Sequence, residues 1–350
     1  MANIMINEVC NLQCKYCFAN EFVDSNDRRL DKQIKIEDFK EIVEFILRTR
    51  SKIGILGGEP MLHPQITELI EYLISHKKVE TILIFTNGIC LERIQNQIKN
   101  PKVRLLVNLN SPNDIGENNY RKILRNMENI SPFPKERISF GINMYKPGFD
   151  YDYIIEMLER YSKNNVRVAI VGPNSEEMRD SSYLDYCREI KSSVLDFFRE
   201  LYKRRISPRF DCAANVFPPC ILTSEERDFM KKLNEFACAS FISDGGNPRE
   251  AKRLVGLSNY PKCEPVIDFT IDKKVIRCFP MFLEKTSMNN FANVEEIVGY
   301  FKNRWDSFKY IVPIDESCRG CKFMKIMACQ GGCIAYRVKE INRIWSMIDR

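Results

Sequence analysis

Up to about residue 205 the sequence alternates short apolar runs with amphipathic segments, and no other feature narrows the choice of fold so far. Parallel strands need long crossovers, so apolar runs separated by helix-length periodic stretches mark βα units and a parallel sheet. Strands are expected at 3–7, 52–56, 80–85, 103–109, 138–145 and 166–171. Between them apolar residues recur at helical spacing. Ile36, Phe39, Val43 and Ile46 line the first helix, Ile66, Leu69, Ile70 and Leu73 the second, and Ile154, Met157, Leu158 and Tyr161 the fifth. A longer helix is expected over about 181–205. Six strand–helix repeats are too few to close an eightfold barrel, so the expected fold is α/β, a partial (β/α)6 barrel with an open side.

Function in such a sheet gathers at the C-terminal ends of the strands. The chemically unusual residues fall there: a cysteine knot after strand 1, GGEP (57–60) after strand 2, TNG (86–88) after strand 3, NLNSP (108–112) around the end of strand 4, and GPN (172–174) after strand 6. Beyond residue 206 the pattern changes. RFDCAANVFPPC (209–220) reads as a strand and a proline-stiffened turn, and Thr223 with Glu226 makes a capping-box start for a helix running to about Phe236. VIDFTIDKKVIRC (266–278) reads as a hairpin with its turn near 272–274. The expected organisation is a barrel over 1–205, a connecting segment over 206–262 and a small cysteine-rich α+β module over 263–350.

Fourteen cysteines in 350 residues constrain the chemistry more than the net charge of +6 does. The basic residues are spread out, and the densest stretch, 202–209, reads as a solvated helix end, which argues against nucleic acid. The N-terminus shows no signal-peptide pattern and no apolar run is long enough to span a membrane, so the expected compartment is the cytoplasm, without a membrane partner. In a reducing cytosol so many thiols are metal ligands or reactive groups rather than disulfides. Only His63 and His76 exist, which leaves almost no material for imidazole zinc sites or Ser-His-Asp chemistry.

A [4Fe-4S] cluster takes one thiolate per iron, yet CNLQCKYC supplies only Cys10, Cys14 and Cys17, and the next cysteine, Cys90, is far along the chain. One iron is left open. The amino and carboxylate groups of S-adenosylmethionine (SAM) can chelate it, placing the sulfonium beside the cluster for one-electron reduction. A zinc knot is the competing reading, but it wants a fourth ligand close by and gives no reason for GGEP.

C-x3-C-x2-C after the first strand, with the aromatic Tyr16 just before the third cysteine, resembles the defining motif of the radical SAM superfamily, and GGEP resembles its second motif. The resemblance implies a partial TIM barrel in which Gly57, Gly58 and Glu59 line the amino-acid end of SAM, with Glu59 accepting from its ammonium. It also places Asn108 and Asn110 toward the ribose and Asn143 toward the adenine, although each could equally satisfy a strand-end loop.

The C-terminal run C-x2-C-x7-C-x3-C, with Cys263 and Cys278 upstream, resembles the SPASM/twitch module of radical SAM maturases. By that resemblance Cys263, Cys278 and Cys333 serve one auxiliary [4Fe-4S] cluster, and Cys318, Cys321 and Cys329 a second. The spacing departs from the family: seven residues rather than five separate Cys321 from Cys329, no cysteine lies about six residues before Cys263, and none follows Cys333. Six cysteines do not fill two four-thiolate sets. Cys212, Cys220 or Cys238 could complete them, one iron could stay open or take another ligand, or a single auxiliary cluster could be present. Cys212 and Cys220 are the preferred candidates, the rival reading being a free thiol that donates a hydrogen atom to a substrate radical. Cys90 and Cys187 read as packing thiols, and a zinc ribbon is the alternative for the run itself.

Enzymes of this type mostly modify peptides or proteins by crosslinking, epimerisation or oxidation. The implied activity is a radical SAM oxidoreductase that cleaves SAM to a 5′-deoxyadenosyl radical and takes a hydrogen atom from a peptide or protein, such as a small precursor peptide. An external one-electron reductant such as flavodoxin or ferredoxin would supply it. Because the first motif begins at residue 10, no leader-binding domain is expected ahead of the barrel. A formylglycine-generating maturase is an alternative that Phe279 and Pro280 after Cys278 disfavour, and a small-molecule substrate is another. From a different class come a non-enzymatic iron–sulfur electron carrier and a zinc-stapled binding protein, which the open-iron triad and GGEP argue against.

Overall fold

The structure, a computed structural model, describes residues 1–17, 19, 23, 30–130, 135–172, 183–210, 217–243 and 263–348. It divides into two units, Met1–Phe140 with Pro265–Lys302, and Gly141–Glu264 with Asn303–Arg350.

In the first unit β1 (Ala2–Met5), β2 (Lys52–Leu56), β3 (Thr81–Thr86) and β4 (Val103–Asn108) pair parallel in that order, with Ala2 opposite Ile53 and Ile53 opposite Ile82. Every residue of β1, and all of β2 after Lys52, is buried. Continuous apolar strands of this kind belong to a parallel sheet covered on both faces. Helix α1 (Ile36–Ile46) follows β1 and buries Phe39, Val43 and Ile46, and α2 (Ile66–Ser75) follows β2 and buries Ile66, Leu69, Ile70 and Leu73. The β3–β4 crossover carries only single 3-10 turns, at Leu91–Ile94 and Gln97–Lys99. After β4 come a short α3 (Pro112–Ile115), capped by the Ser111 hydroxyl, and α4 (Glu117–Ile130).

Strand β5 (Ile138–Met144) crosses the division between the units. In the second unit its last four residues pair parallel with β6 (Asn165–Ile170), which pairs parallel with β7 (Ser207–Phe210). Helix α5 (Asp152–Arg160) joins β5 to β6, and α6 (Tyr183–Lys203) lies between β6 and β7. The rings of Phe149, Tyr151, Phe197, Phe198 and Phe210 pack in a chain of edge and tilted contacts. The Thr223–Glu226 capping box forms as its sequence predicts, Thr223 N–H donating to Glu226 (2.7 Å) and Glu226 N–H to the Thr223 hydroxyl (3.2 Å). The helix it starts, α7 (Ser224–Ser243), runs a further two turns or so beyond Phe236.

Two additions to the expected six strands stand out. β7 begins at Ser207 rather than Arg209 and carries Pro208, a residue that weakens the strand signal in sequence but is tolerated beside a missing ladder bond. The hairpin of β8 (Asp268–Phe269) and β9 (Lys274–Ile276) turns where expected, with Lys273 at φ 56°. β8 then pairs parallel with β1, Asn3 opposite Asp268, so this C-terminal segment extends the sheet of the first unit. Short β10 (Thr286–Ser287) pairs with β9, and α8 (Val294–Arg304) closes the segment. In the second unit the cysteine-rich tail carries α9 (Lys322–Lys325) and α10 (Val338–Ile348).

Candidate functional site

Beyond β1 the chain runs toward the cysteine knot with the GGEP loop docked alongside it. Gly58 N–H donates to Asn7 O (3.0 Å) and Glu59 N–H to Val9 O (2.7 Å). The approach is too close for a side chain. A Cβ on Gly58 would stand 2.3 Å from Val9 O, and one on Gly57 would stand 2.3 Å from Asn7 Oδ1.

Glu59 ties its own loop to the loop after β3 from a position of only 1% exposure. Its Oε1 accepts from the Thr86 hydroxyl (2.8 Å) and Met61 N–H (3.1 Å), and its Oε2 from Asn87 N–H (2.7 Å). Burial raises its pKa to about 7, against the lowering effect of those donors from Asn87, Thr86 and Met61. The resemblance gave this carboxylate the SAM ammonium. Here its oxygens accept from three protein donors, as a buried carboxylate requires, so the side chain acts as a strut between GGEP and the TNG loop and keeps about one acceptor site beyond those three.

The strut continues to the knot: Asn87 Nδ2 donates to Asn11 Oδ1 (2.8 Å), and Asn11 Nδ2 donates to the Cys90 sulfur (3.7 Å). Asn7, Asn11, Thr86 and Asn87 were not singled out as individual site residues from sequence. The polar run in TNG and the asparagine that follows Cys10 were the available signals. Cys90 is thus a hydrogen-bond acceptor beside the knot rather than only packing.

Cys17 N–H donates to Cys14 O (2.9 Å), and Leu12 N–H to the Cys10 sulfur (3.4 Å), which folds the three cysteines into one tight turn. Burial pushes the Cys10 thiol up to about 12 and Cys14 to about 11, and raises Cys17, with the neighbouring thiols adding to the effect on Cys10 and Cys14. The Tyr16 side chain hydrogen-bonds the Cys14 sulfur and opposes its shift. Desolvation favours the neutral, protonated form of all three thiols, so iron must displace their protons as it binds.

Among the described residues of this unit five buried acceptors, Asn3 Oδ1, Asn7 Oδ1, Gln33 Oε1, Asn108 Oδ1 and Asn110 Oδ1, have no hydrogen-bond partner, and Asn108 and Asn110 lie at the C-terminal end of β4. Asn7 and Asn110 are 0% and 5% exposed, so water does not compensate them freely. A ligand rich in hydroxyl and ammonium donors fits that need, and SAM carries both.

In the second unit another set of thiols gathers. Cys318 ends a 3-10 turn and Cys321 caps α9, with Cys321 N–H donating to Cys318 O (3.1 Å). The backbone N–H groups of Ala328 and Cys329 converge on Phe323 O. Buried Arg337 donates to the carbonyls of Lys309 (2.7 Å), Val312 (2.9 Å), Gln330 (3.0 Å) and Gly332 (3.0 Å). Its guanidinium lies within electrostatic reach of Cys333, Cys263, Cys329 and Cys318. Cys263 is held by its N–H on Gln330 Oε1 (3.1 Å) and by Lys309 Nζ on its carbonyl.

Among the described residues no three His, Cys, Asp or Glu side chains converge closely enough to hold a single metal ion. A cubane takes each thiolate on a separate iron, which asks for a wider spacing of sulfurs than one ion does. Cys278 lies in the first unit at the end of the β9 hairpin, where Arg277 Nη1 donates to its sulfur (3.7 Å). Asn143 is half-buried on β5, in the second unit, Cys187 is buried on α6, and Cys212 lies outside the described residues.

Residues 4–181, half of the chain, match the Radical SAM superfamily. The chain belongs to that superfamily. Its cofactors are accordingly a [4Fe-4S] cluster and SAM. Two relatives are the radical SAM cyclopropyl synthase TigE of Paramaledivibacter caminithermalis, 24% identical over 56% of this chain, and a probable GTP 3′,8-cyclase of Methanocaldococcus jannaschii, 30% identical over 42%. The matches span 45% and 48% of those proteins, about half their length. Among solved structures, Streptococcus suis SuiB bound to S-adenosylmethionine aligns over 97% of this chain and 73% of its own, at TM-score 0.58 and 18% identity. SuiB bound to precursor peptide SuiA aligns similarly, at TM-score 0.57. These likenesses establish a radical SAM α/β fold. Among the described residues no helix is long and apolar enough to cross a membrane.

Proposed function

We propose that this radical SAM chain is an oxidoreductase that modifies a peptide or protein, and that Cys10, Cys14 and Cys17 hold its SAM-cleaving cluster. The observation that carries the radical chemistry is three half-buried thiols folded into one turn with the GGEP loop docked alongside, and no fourth cysteine in the motif itself. A cluster held by Cys10, Cys14 and Cys17 would supply one-electron reduction of the sulfonium of SAM, releasing methionine and a radical able to take a hydrogen atom from substrate. The chain's own contribution is positional. Gly57 and Gly58 let the second loop approach the knot, Glu59 fixes that loop to Thr86 and Asn87, and Asn7, Asn108 and Asn110 offer acceptors to the ligand.

A peptide substrate is supported by the alignment over nearly the whole chain with SuiB, a protein solved with its precursor peptide. The GTP 3′,8-cyclase relatives favour a second reading, a nucleotide-sized substrate. The auxiliary clusters would accept an electron or bind a substrate thiolate. The test is anaerobic reconstitution, reduction with dithionite, addition of SAM and chromatography for 5′-deoxyadenosine. Its formation is expected, and a reconstituted, reduced protein that makes none overturns the enzyme reading. Deuterium appearing in 5′-deoxyadenosine from a labelled peptide, and not from labelled GTP, would decide between the substrates.

A further inference from the structure

We propose that Cys220 is the fourth thiolate of an auxiliary [4Fe-4S] cluster held by Cys318, Cys321 and Cys329. The inference rests on the reading that the C-terminal run holds a cluster, and it assigns the ligand that the run's spacing leaves missing. Family spacing looks for that ligand after Cys333, where this chain has no cysteine. The structure brings one from upstream instead.

Cys220 sits in the 3-10 turn Pro219–Ile221, entered through Pro218, whose fixed φ stiffens it. Two cations lock the turn. Lys191 of α6 donates to Ile221 O (3.2 Å) while pairing with Glu226 (2.9 Å). Arg227, in the first turn of α7, reaches back to Pro219 O (3.3 Å) and to Leu222 O, and its guanidinium lies over the Phe323 ring, 5.5 Å from the centroid. Phe323 belongs to the cysteine run: it follows Cys321 in α9, and its carbonyl receives the N–H groups of Ala328 and Cys329. One arginine therefore clamps the Cys220 turn onto the loop that carries the other three thiols.

The sulfurs agree with the backbone. Cys220 lies within electrostatic reach of Cys329, Cys318 and Cys321, all in the same unit. A cavity of about 320 Å³ opens beside Cys318 and Cys321, between Tyr310, Ile311 and Met324. With Cys220 the set reaches four thiols, one for each iron of a cubane, each giving up its proton as iron binds.

The experiment uses the full chain with Cys10, Cys14 and Cys17 replaced by Ala, so that iron from the SAM-binding site is absent. Adding C220A to this background is expected to lower bound iron and sulfide by about one cluster, four irons per chain, or to leave a [3Fe–4S] electron-paramagnetic signal from a cluster that has shed its unanchored iron. C238A in the same background, on α7, is expected to change neither. Iron, sulfide and spectra unchanged by C220A overturn the assignment. A background chain that binds no iron at all defeats the auxiliary-cluster reading itself, while SAM cleavage by the wild-type chain still tests the radical reading. Alkylation mapping needs no variant. Burial and the neighbouring thiols push Cys220 up to about 11, so the exposed thiol should be labelled slowly but measurably in the apo chain at alkaline pH and about tenfold more slowly after reconstitution, and equal labelling in both states also overturns the proposal.

Discussion

Replacing Glu59 by Gln keeps the shape of the side chain but sets an amide NH2 where an oxygen now accepts, either from Asn87 N–H or from Thr86 and Met61. Two donors then face each other in a buried site, a cost of about 1–3 kcal/mol. E59Q should therefore lower the melting temperature of the apo chain, measured without SAM, and raise the KM for SAM through displacement of the TNG loop. If Glu59 instead served only the SAM ammonium, the apo melting temperature would stay put and only the KM would move. Cys90 gives the complementary case. Its sulfur takes one weak hydrogen bond from Asn11, so C90S should retain the iron of the knot and the yield of 5′-deoxyadenosine, whereas C10A, C14A or C17A abolishes that yield. Loss of the iron in C90S would make Cys90 a ligand and close the coordination site that SAM needs.

At the scale of elements, β8 is held to β1 by a buried pair, Asn3 Nδ2 donating to Asp268 Oδ1 at 2.6 Å. Burial raises the Asp268 carboxyl from 3.8 to about 7, outweighing the lowering effect of Asn3 and of the Phe279 backbone. A carboxyl with a higher pKa folded than unfolded lets the folded chain keep a proton that the unfolded chain has lost. Its stabilising effect is full below 3.8 and is lost as pH rises through about 7. Glu59 acts in the same sense, also near 7. Thermal melts of the apo chain should show stability falling between about pH 4 and pH 7 and levelling off above that, and D268N should flatten the slope; an unchanged slope would remove Asp268 as a cause. The strands of the barrel were legible because each is a continuous apolar run bounded by polar turns, as Lys52–Leu56 shows. The docking of β8 on β1 was not. Two residues cannot announce a partner more than 250 positions away, and the aspartate that anchors them reads in sequence as a turn residue.

Across the whole molecule the sulfur is divided: Cys10, Cys14, Cys17, Cys90 and Cys278 lie in the first unit, and the other described cysteines in the second. Sequence order exposed the knot because its cysteines are neighbours, and it exposed the C-terminal run for the same reason. It could not show that Cys220 shares space with Cys318, since only the fold of α6, α7 and their connecting turn brings them together. Arg337 was invisible for a related reason: a lone arginine in a basic chain reads as surface, yet it is 2% exposed. Burial lowers its pKa while Cys333, Cys263, Cys329 and Cys318 pull it upward, and it supplies fixed positive charge where anionic clusters would sit. R337M removes both that charge and the donors to four carbonyls, so it should destabilise the second unit by about 3 kcal/mol or more. It should also drive the auxiliary reduction potential more negative, because the reduced cluster carries the extra electron without its counter-charge. R337K keeps the charge but not the planar fork, and should recover the potential more fully than the melting temperature. A redox titration followed by electron paramagnetic resonance reads the first effect and a melt the second; a folded R337M whose potential equals that of the wild type would confine Arg337 to a purely structural part.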